Sequence, residues 1–471
     1  MNKFNEIITA ISGFVWGPVL IIALVGMGIY FTIGTRFLQI RRFPYIIKDT
    51  FFRALNRKAI VDGEGTLTPF QSAMTALSTT VGVGSIVGVA AAITIGGPGA
   101  VFWMWVSAFF GMCTKYAEIT LSIAYREKTD EGYFVGGPAY YLKKGAKSKF
   151  LATWFSWNLL FSLLAFAMIH SNALTANITP FIPVSDSVIG VFIMCFIAVI
   201  SFGGVTRVGK VAEKLVSLKV ILYVTCGLAV IFANVSRIPE AFVMIFQGAF
   251  APISVGGGIA GYGVMQAIRL GITRGLFSNE AGQGTAPIAH AAAKTTHPVR
   301  QGLWGITEVF IVMIVATITA LCILTSGVFG TIQNPDANTL TSIAFSSVHP
   351  ALGYIVSISI IFCATTSLVG ICYYGESTTT ALSKSPIAGK TFRIMFIVMA
   401  FFGSISSLTT VWTVGEIALA FGVTANLIGL AKCSPEVFRL TREYFDDLDN
   451  KNKVDNSKNI SGTSKVENTI D

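Results

Sequence analysis

Apolar runs of about 20 residues recur along most of this 471-residue chain, and each is long enough to cross the roughly 30 Å hydrocarbon core of a bilayer as a helix. Lipid offers the backbone no hydrogen-bond partner, so a spanning chain must satisfy its own N–H and C=O groups, as helices or as a closed barrel. A barrel needs segments of about ten residues with alternating polarity. The runs here are long and unbroken, so the chain is predicted to be an all-α membrane protein. Only 12% of its residues are charged and its mean hydropathy is +0.68, against roughly 25% charge in soluble domains. About eleven spans are expected, near 9–33, 70–95, 99–124, 151–178, 186–204, 212–234, 241–268, 302–328, 349–374, 391–410 and 412–431.

The net charge of +10 would suggest nucleic acid in a soluble protein. Here Lys and Arg gather in short loops between apolar runs, a pattern that sets membrane orientation, and no nucleic-acid partner is expected. The first such loop carries Arg36, Arg41, Arg42, Lys48, Arg53, Arg57 and Lys58. The loop after the third span carries Arg126, Lys128, Lys143, Lys144, Lys147 and Lys149. Placing both in the cytoplasm, with an odd number of spans, puts the N-terminus outside and the C-terminus inside. The first apolar run is too long for a cleavable signal and is expected to stay as an anchor. The seven cysteines show no CxxC spacing and are read as packing residues. Residues 433–471 are polar, with no evident apolar face, and are expected to form a short helix at most.

Two spans are interrupted by glycine in their middles: Ser78-Thr79-Thr80-Val81-Gly82-Val83-Gly84-Ser85 in the second, and Ser254-Val255-Gly256-Gly257-Gly258-Ile259-Ala260-Gly261 in the seventh. Glycines can simply permit close helix packing. Breaks at matching positions five spans apart point instead to inverted repeats whose discontinuous helices bind ligand and ion at the bilayer midplane.

The stretches GTRFLQIRRF (34–43), GGPGAVFWMWVSAFFGMCTKYAE (96–118), GGPAYYLKKG (136–145), RGLFSNEAGQGTAPIAHAAA (274–293), HPVRQGL (297–303) and YYGE (373–376) resemble the alanine/glycine:cation symporter family, in family order and over nearly the whole chain. The resemblance implies a leucine-transporter-like five-plus-five inverted repeat with one extra N-terminal helix: 1–69 for that helix and its basic loop, 70–234 and 235–432 for the repeats, and 433–471 for a cytoplasmic tail. It also implies a secondary active symporter of the cell membrane, of bacterial plasma-membrane type, with no enzyme activity and no cofactor. Such a symporter moves a small neutral amino acid inward with sodium. A proton-coupled carrier of another neutral amino acid, or a non-transporting amino acid sensor, is the alternative.

In that fold the first and sixth core helices line the substrate site, because half-helix ends supply donors for a carboxylate and acceptors for an ammonium without a full charge in lipid. The N–H groups around Gly82, Gly84 and Ser85 are expected to face the carboxylate. Carbonyls near Gly256, Gly257 and Gly258 are expected to take the ammonium, with Tyr262 walling the pocket. The cation is expected between the carbonyls of Ser78, Val81 and Cys363 and the hydroxyls of Thr366 and Ser367, a five-oxygen cage suited to sodium; each hydroxyl taken alone is also explained by bonding back along its own helix. The chain departs from the usual family pattern at Ser85 (Asn), His170 (Gln), Val312 (Asp) and Ile371 (Trp), all in or beside the expected pocket. His170 is therefore either a pocket residue or a packed polar group.

Among other intramembrane charges, Lys115 and Glu118 are expected to pair at i, i+3, and Lys219 to snorkel toward the cytoplasm. Asn279, Glu280 and His290 fall in an Ala-rich loop expected to form an interfacial helix. The chain shows no HExxH motif and no selectivity-filter motif, as a membrane metalloprotease or a channel would need.

Overall fold

The computed structural model describes residues 2–55, 63–130, 132–200, 204–250, 260–332, 336–383 and 385–463, and its elements are almost all helical. The chain opens with α1 (Asn2–Val15) and α2 (Pro18–Gly34), joined at a 42° bend. The single span expected over 9–33 is thus two helices, divided where Pro18 begins a new one with no N–H to continue the old ladder. Short helices α3 (Leu38–Arg41), α4 (Phe43–Ile47) and α5 (Arg53–Leu55) follow, with a π-helical turn over Lys48–Phe52.

The expected second span is broken as predicted, into α6 (Pro69–Thr80) and α7 (Val87–Gly96). Thr68 starts α6 with a reciprocal cap: its hydroxyl accepts from Gln71 N, and the Gln71 side chain accepts from Thr68 N. Then come α8 (Gly99–Ala124), a two-stranded hairpin of β1 (Glu127–Lys128) and β2 (Phe134–Val135), α9 (Pro138–Lys144), α10 (Lys149–Ile178), α11 (Asp186–Ile200) and α12 (Gly204–Ala233). The second half holds α13 (Ile238–Phe250), α14 (Ala260–Asn279), α15 (Ala286–His290), α16 (Pro298–Thr325), α17 (Ala337–Ser346), α18 (Pro350–Leu382), α19 (Pro386–Ile405) and α20 (Leu408–Thr463). His297 and His349 both precede a proline at the first helical position, and each accepts a backbone N–H on Nδ1. These two histidines are helix caps.

Among the described residues six helices are long and apolar enough to cross a membrane singly, or seven with the bent α1–α2 pair as one. This is fewer than the eleven spans expected: 70–95 divides at its glycines, while 186–204 and 241–268 are described only in part, since residues 201–203 and 251–259 lie outside the described residues. The helices pack in two intertwined sets. α10 lies against α18, α19 and α20, and α8 lies along α16 and α14, while α12 touches both α6 and α18.

Two sequence expectations fail outside the spans. The tail is helical to Thr463, continuous with α20 through Pro435, because it does carry an apolar face: Val437, Leu440 and Phe445 are buried, and Phe438 makes edge contacts with Tyr30 and Phe31. Arg42 pairs with Asp449 and Tyr45 hydrogen-bonds Tyr444, tying that face to the first loop. The Ala-rich segment 286–293 is buried rather than interfacial. Its Pro287 carbonyl accepts from Ser122, and its Ala291 and Ala293 carbonyls accept from Arg126.

The charged pair expected on α8 is also rearranged. Lys115 Nζ bonds Glu308 Oε2 on α16 at 3.0 Å and the Asn279 carbonyl at 3.1 Å, and Glu308 Oε1 meets His290 Nε2 at 2.7 Å. Glu118 instead accepts from Asn426 Nδ2 at 2.5 Å and Gly282 N at 3.1 Å. Both residues face the protein interior, where a fixed partner on another helix is closer than a neighbour on the same one.

Candidate functional site

The break between α6 and α7 is wholly buried, as is every residue from Ser72 to Ile93. Three neighbours hold it. An ideal Cβ on Gly82 would lie 2.7 Å from Cys363 Cβ on α18, and one on Gly84 would lie 3.0 Å from Ser278 Cα on α14. The backbone at the break therefore approaches α18 at a distance that only glycine permits, and α14 at one that leaves a side chain little room. On the third side Thr319 of α16 donates to the Ser85 carbonyl at 3.1 Å and meets Tyr223 at 2.7 Å.

Within the break Ser85 folds back, its hydroxyl accepting from Gly82 N at 3.0 Å, while Ile86 N bonds the Gly82 carbonyl and Gly88 N the Val83 carbonyl. The turn so formed starts α7, with the positive end of its dipole at the break. Of the donors expected to face a carboxylate, the Gly82 N–H is already taken by Ser85.

An aromatic wall closes one side. Phe277 of α14 packs on Trp412 of α20 with ring centres 4.7 Å apart and on Phe166 of α10 at 5.0 Å; Trp412 in turn comes within 3.6 Å of a Cβ position on Gly88. His170, only 2% exposed, stands beside Phe277 at 6.3 Å. Its Nδ1 bonds the Phe166 carbonyl at 2.8 Å, and its Nε2 has no hydrogen-bond partner among the described residues. The structure brings His170 to the break's aromatic wall. The guanidinium of Arg274 lies over Trp412 at 3.9 Å, and its charge is matched by Glu416 at 2.9 Å. Phe277, Trp412 and Thr319 escaped sequence reasoning because aromatics and hydroxyls in apolar helices look the same whether they face a ligand or a neighbouring helix.

Ile371 is buried, but it lies eight residues past Cys363 along α18, about 12 Å of helix, level with the contact of Gly370 with Ser78 and Thr79. The structure does not bring it to the break. Val312 is buried in the core. Gly256, Gly257 and Gly258 lie outside the described residues, as does the side chain of Tyr262 on the first turn of α14.

Four of the five residues expected to hold a cation do converge. Ser367 Oγ donates to the Ser78 carbonyl at 2.7 Å, and Thr366 Oγ1 donates to the Cys363 carbonyl at 3.0 Å. Val81 begins the break, its N–H still bonded to Leu77. The positive group among these atoms is Lys219 of α12: its Nζ donates to Thr366 Oγ1 at 3.0 Å and to the Ser78 carbonyl at 3.4 Å, and the residue is 3% exposed. The expected snorkelling does not occur. Lys219 points inward because α12 packs against α6 and α18 together, and their oxygens satisfy its donors within the protein. A sodium ion bonded to the same two oxygens would lie within about 6 Å of this nitrogen, where like charges repel by about 3 kcal/mol or more at an effective dielectric constant of 20.

Comparison with known proteins matches residues 1–459 to the model of the sodium:alanine symporter family. An uncharacterized transporter of Bacillus subtilis, YflA, is 40% identical, covering 94% of each chain. The sodium/alanine symporter AgcS of Methanococcus maripaludis is 37% identical over 94% of this chain and 97% of its own, and the probable sodium/glutamine symporter GlnT of Bacillus subtilis is 34% identical over 94% and 91%. Among solved structures, MhsT in complex with L-phenylalanine superposes with a TM-score of 0.59 at 12% identity, covering 78% of this chain and 89% of that one. That likeness is one of fold.

Proposed function

The chain belongs to the sodium:alanine symporter family and is a sodium-coupled amino acid symporter of a multi-pass membrane type, and we propose that its substrate is a small neutral amino acid, such as alanine or glycine, bound at the break between α6 and α7 and carried into the cell. The observation that carries this reading is the break itself: backbone half-helix ends, buried and walled by Phe277, Trp412, Phe166 and His170. Half-helix ends suit a zwitterion's carboxylate and ammonium. The charge lying over the wall, on Arg274, is already paired with Glu416. The names of AgcS and GlnT speak of alanine and glutamine, both uncharged, for those proteins. Gly82, Gly84, Ser85 and His170 are the contacts proposed for the substrate, together with Gly256, Gly257, Gly258 and Tyr262, which the sequence pattern alone proposes. The membrane is a bacterial-type plasma membrane with the N-terminus outside and the C-terminus in the cytoplasm, an orientation resting on the basic loops.

The test is uptake of labelled amino acids into proteoliposomes under an imposed sodium gradient, with an imposed pH gradient as the comparison. Accumulation of alanine or glycine above the external concentration, lost when the sodium gradient is collapsed, is the expected result. Equilibration without accumulation, binding without uptake, or uptake that follows pH and ignores sodium would each overturn it. Reporter tags at the termini test the orientation: a cytoplasmic N-terminus or an external C-terminus contradicts it.

A further inference from the structure

We propose that Lys219 is a resident cation at the junction of the broken helix and α18: its ammonium fills the place of a free ion there, so the sodium that drives transport binds elsewhere. The inference rests on the family assignment for the existence of sodium coupling, and on the geometry for the rest.

An ammonium has three N–H donors and no acceptor. Here it finds the Thr366 hydroxyl at 3.0 Å and the Ser78 carbonyl at 3.4 Å, with the Cys363 thiol beside it. The hydrogen of Thr366 is committed to the Cys363 carbonyl, so its oxygen is free to accept, and the Ser78 carbonyl takes Ser367 on one lone pair and Lys219 on the other. Two of the oxygens that would coordinate a small monovalent ion, the Ser78 carbonyl and the Thr366 hydroxyl, are thus already engaged by the ammonium. They belong to the two elements whose separation would open the break, since Ser78 is on α6 and Thr366 and Ser367 are on α18. Lys219, carried by α12, joins all three.

No carboxylate bonds Lys219 among the described residues. Glu213, on the same helix, accepts from Gln71, Glu280 from Thr285, and Glu376 from Arg393. A second positive charge at this junction would therefore have no counter-ion, and an ionisable group buried this way within membrane-spanning helices is expected to be functional. Lys219 is a positioning residue, acting on the substrate through the helix it holds.

The experiment uses the full chain, purified and reconstituted, as wild type and as Lys219→Ala, Lys219→Met and Thr366→Val. Sodium dependence of alanine uptake and sodium dependence of the melting temperature without amino acid are read for each. Lys219→Met fills the space without the charge and should lower uptake at least tenfold at every sodium concentration. Lys219→Ala vacates the place, so the order of uptake in sodium should rise by about one, sodium but not potassium should raise its melting temperature more than that of the wild type, and added propylammonium, but not propanol, should restore uptake at low sodium. Thr366→Val should leave the sodium concentration for half-maximal uptake within about twofold of wild type.

Wild-type uptake and sodium order in Lys219→Met would overturn the proposal, as would an unchanged sodium order and melting response in Lys219→Ala. If neither lysine variant folds, Thr366→Val decides: a tenfold or greater loss of sodium affinity means that sodium binds the cage itself. If the wild type transports no alanine, the reading of substrate fails, and the melting response of Lys219→Ala still decides this one.

Discussion

Replacing Gly82 with alanine tests whether the break must lie against α18. The added Cβ would come within 2.7 Å of Cys363 Cβ, whereas ordinary contact starts at 3.4 Å, so the two helices must part by at least the difference, 0.7 Å. A shift of that size along the contact would lengthen the Ser367 to Ser78 hydrogen bond from 2.7 to 3.4 Å, beyond the usual O–H···O range. Overpacking costs about 1–3 kcal/mol. The Gly82 φ of +157° is one that L residues rarely adopt, adding about 1–3 kcal/mol more. Even about 2 kcal/mol, expressed at the binding site, is roughly a 30-fold loss of affinity. Gly88→Ala is the control: on the other side of the same break, its Cβ would meet Trp412 at 3.6 Å, an ordinary contact. KM for uptake and the thermal shift given by alanine are the measurements. Gly82→Ala with a wild-type KM, or Gly88→Ala as damaging as Gly82→Ala, would refute the claim that the close approach to Cys363 builds the site.

Glu308→Gln strands the buried Lys115 ammonium and weakens the His290 contact, an expected loss of about 3–5 kcal/mol, whereas Glu118→Gln leaves that pair intact and should cost about 1–3 kcal/mol; melting midpoints in detergent in the reverse order would show the pairing to be wrong. A stop after Lys432 removes the buried side chains of Val437, Leu440 and Phe445, each contributing about 1.5–3 kcal/mol, so the shortened protein should fail to accumulate folded; normal yield and melting behaviour would make the tail helix dispensable. His170→Gln keeps a polar group at the aromatic wall but replaces a ring whose Nε2 has no partner; uptake competition across a panel of neutral amino acids should change in rank, and an unchanged rank order would remove His170 from the substrate's surroundings.

Helical spans and the break at Val81–Ile86 were readable in the residues because lipid imposes a length and an internal hydrogen-bond rule on any crossing segment, and glycines in mid-span announce where that rule is relaxed. The predicted 99–124 coincides with Gly99–Ala124, and the predicted 349–374 lies within Pro350–Leu382. The tail helix carried a signal that composition hid: Val437, Leu440, Tyr444 and Phe445 recur at helical spacing among charges. The destinations of the buried charges had no such signal. A local rule pairs Lys115 with Glu118 and sends Lys219 toward the nearest water, since only neighbours in sequence can be seen from sequence. Packing brought Glu308 to Lys115 and set α12 against both α6 and α18, and in that arrangement the Lys219 ammonium found the Ser78 and Thr366 oxygens nearer than any solvent. The residue types that make a cation site were thus legible in one dimension. Which cation lies among them depended on three helices meeting.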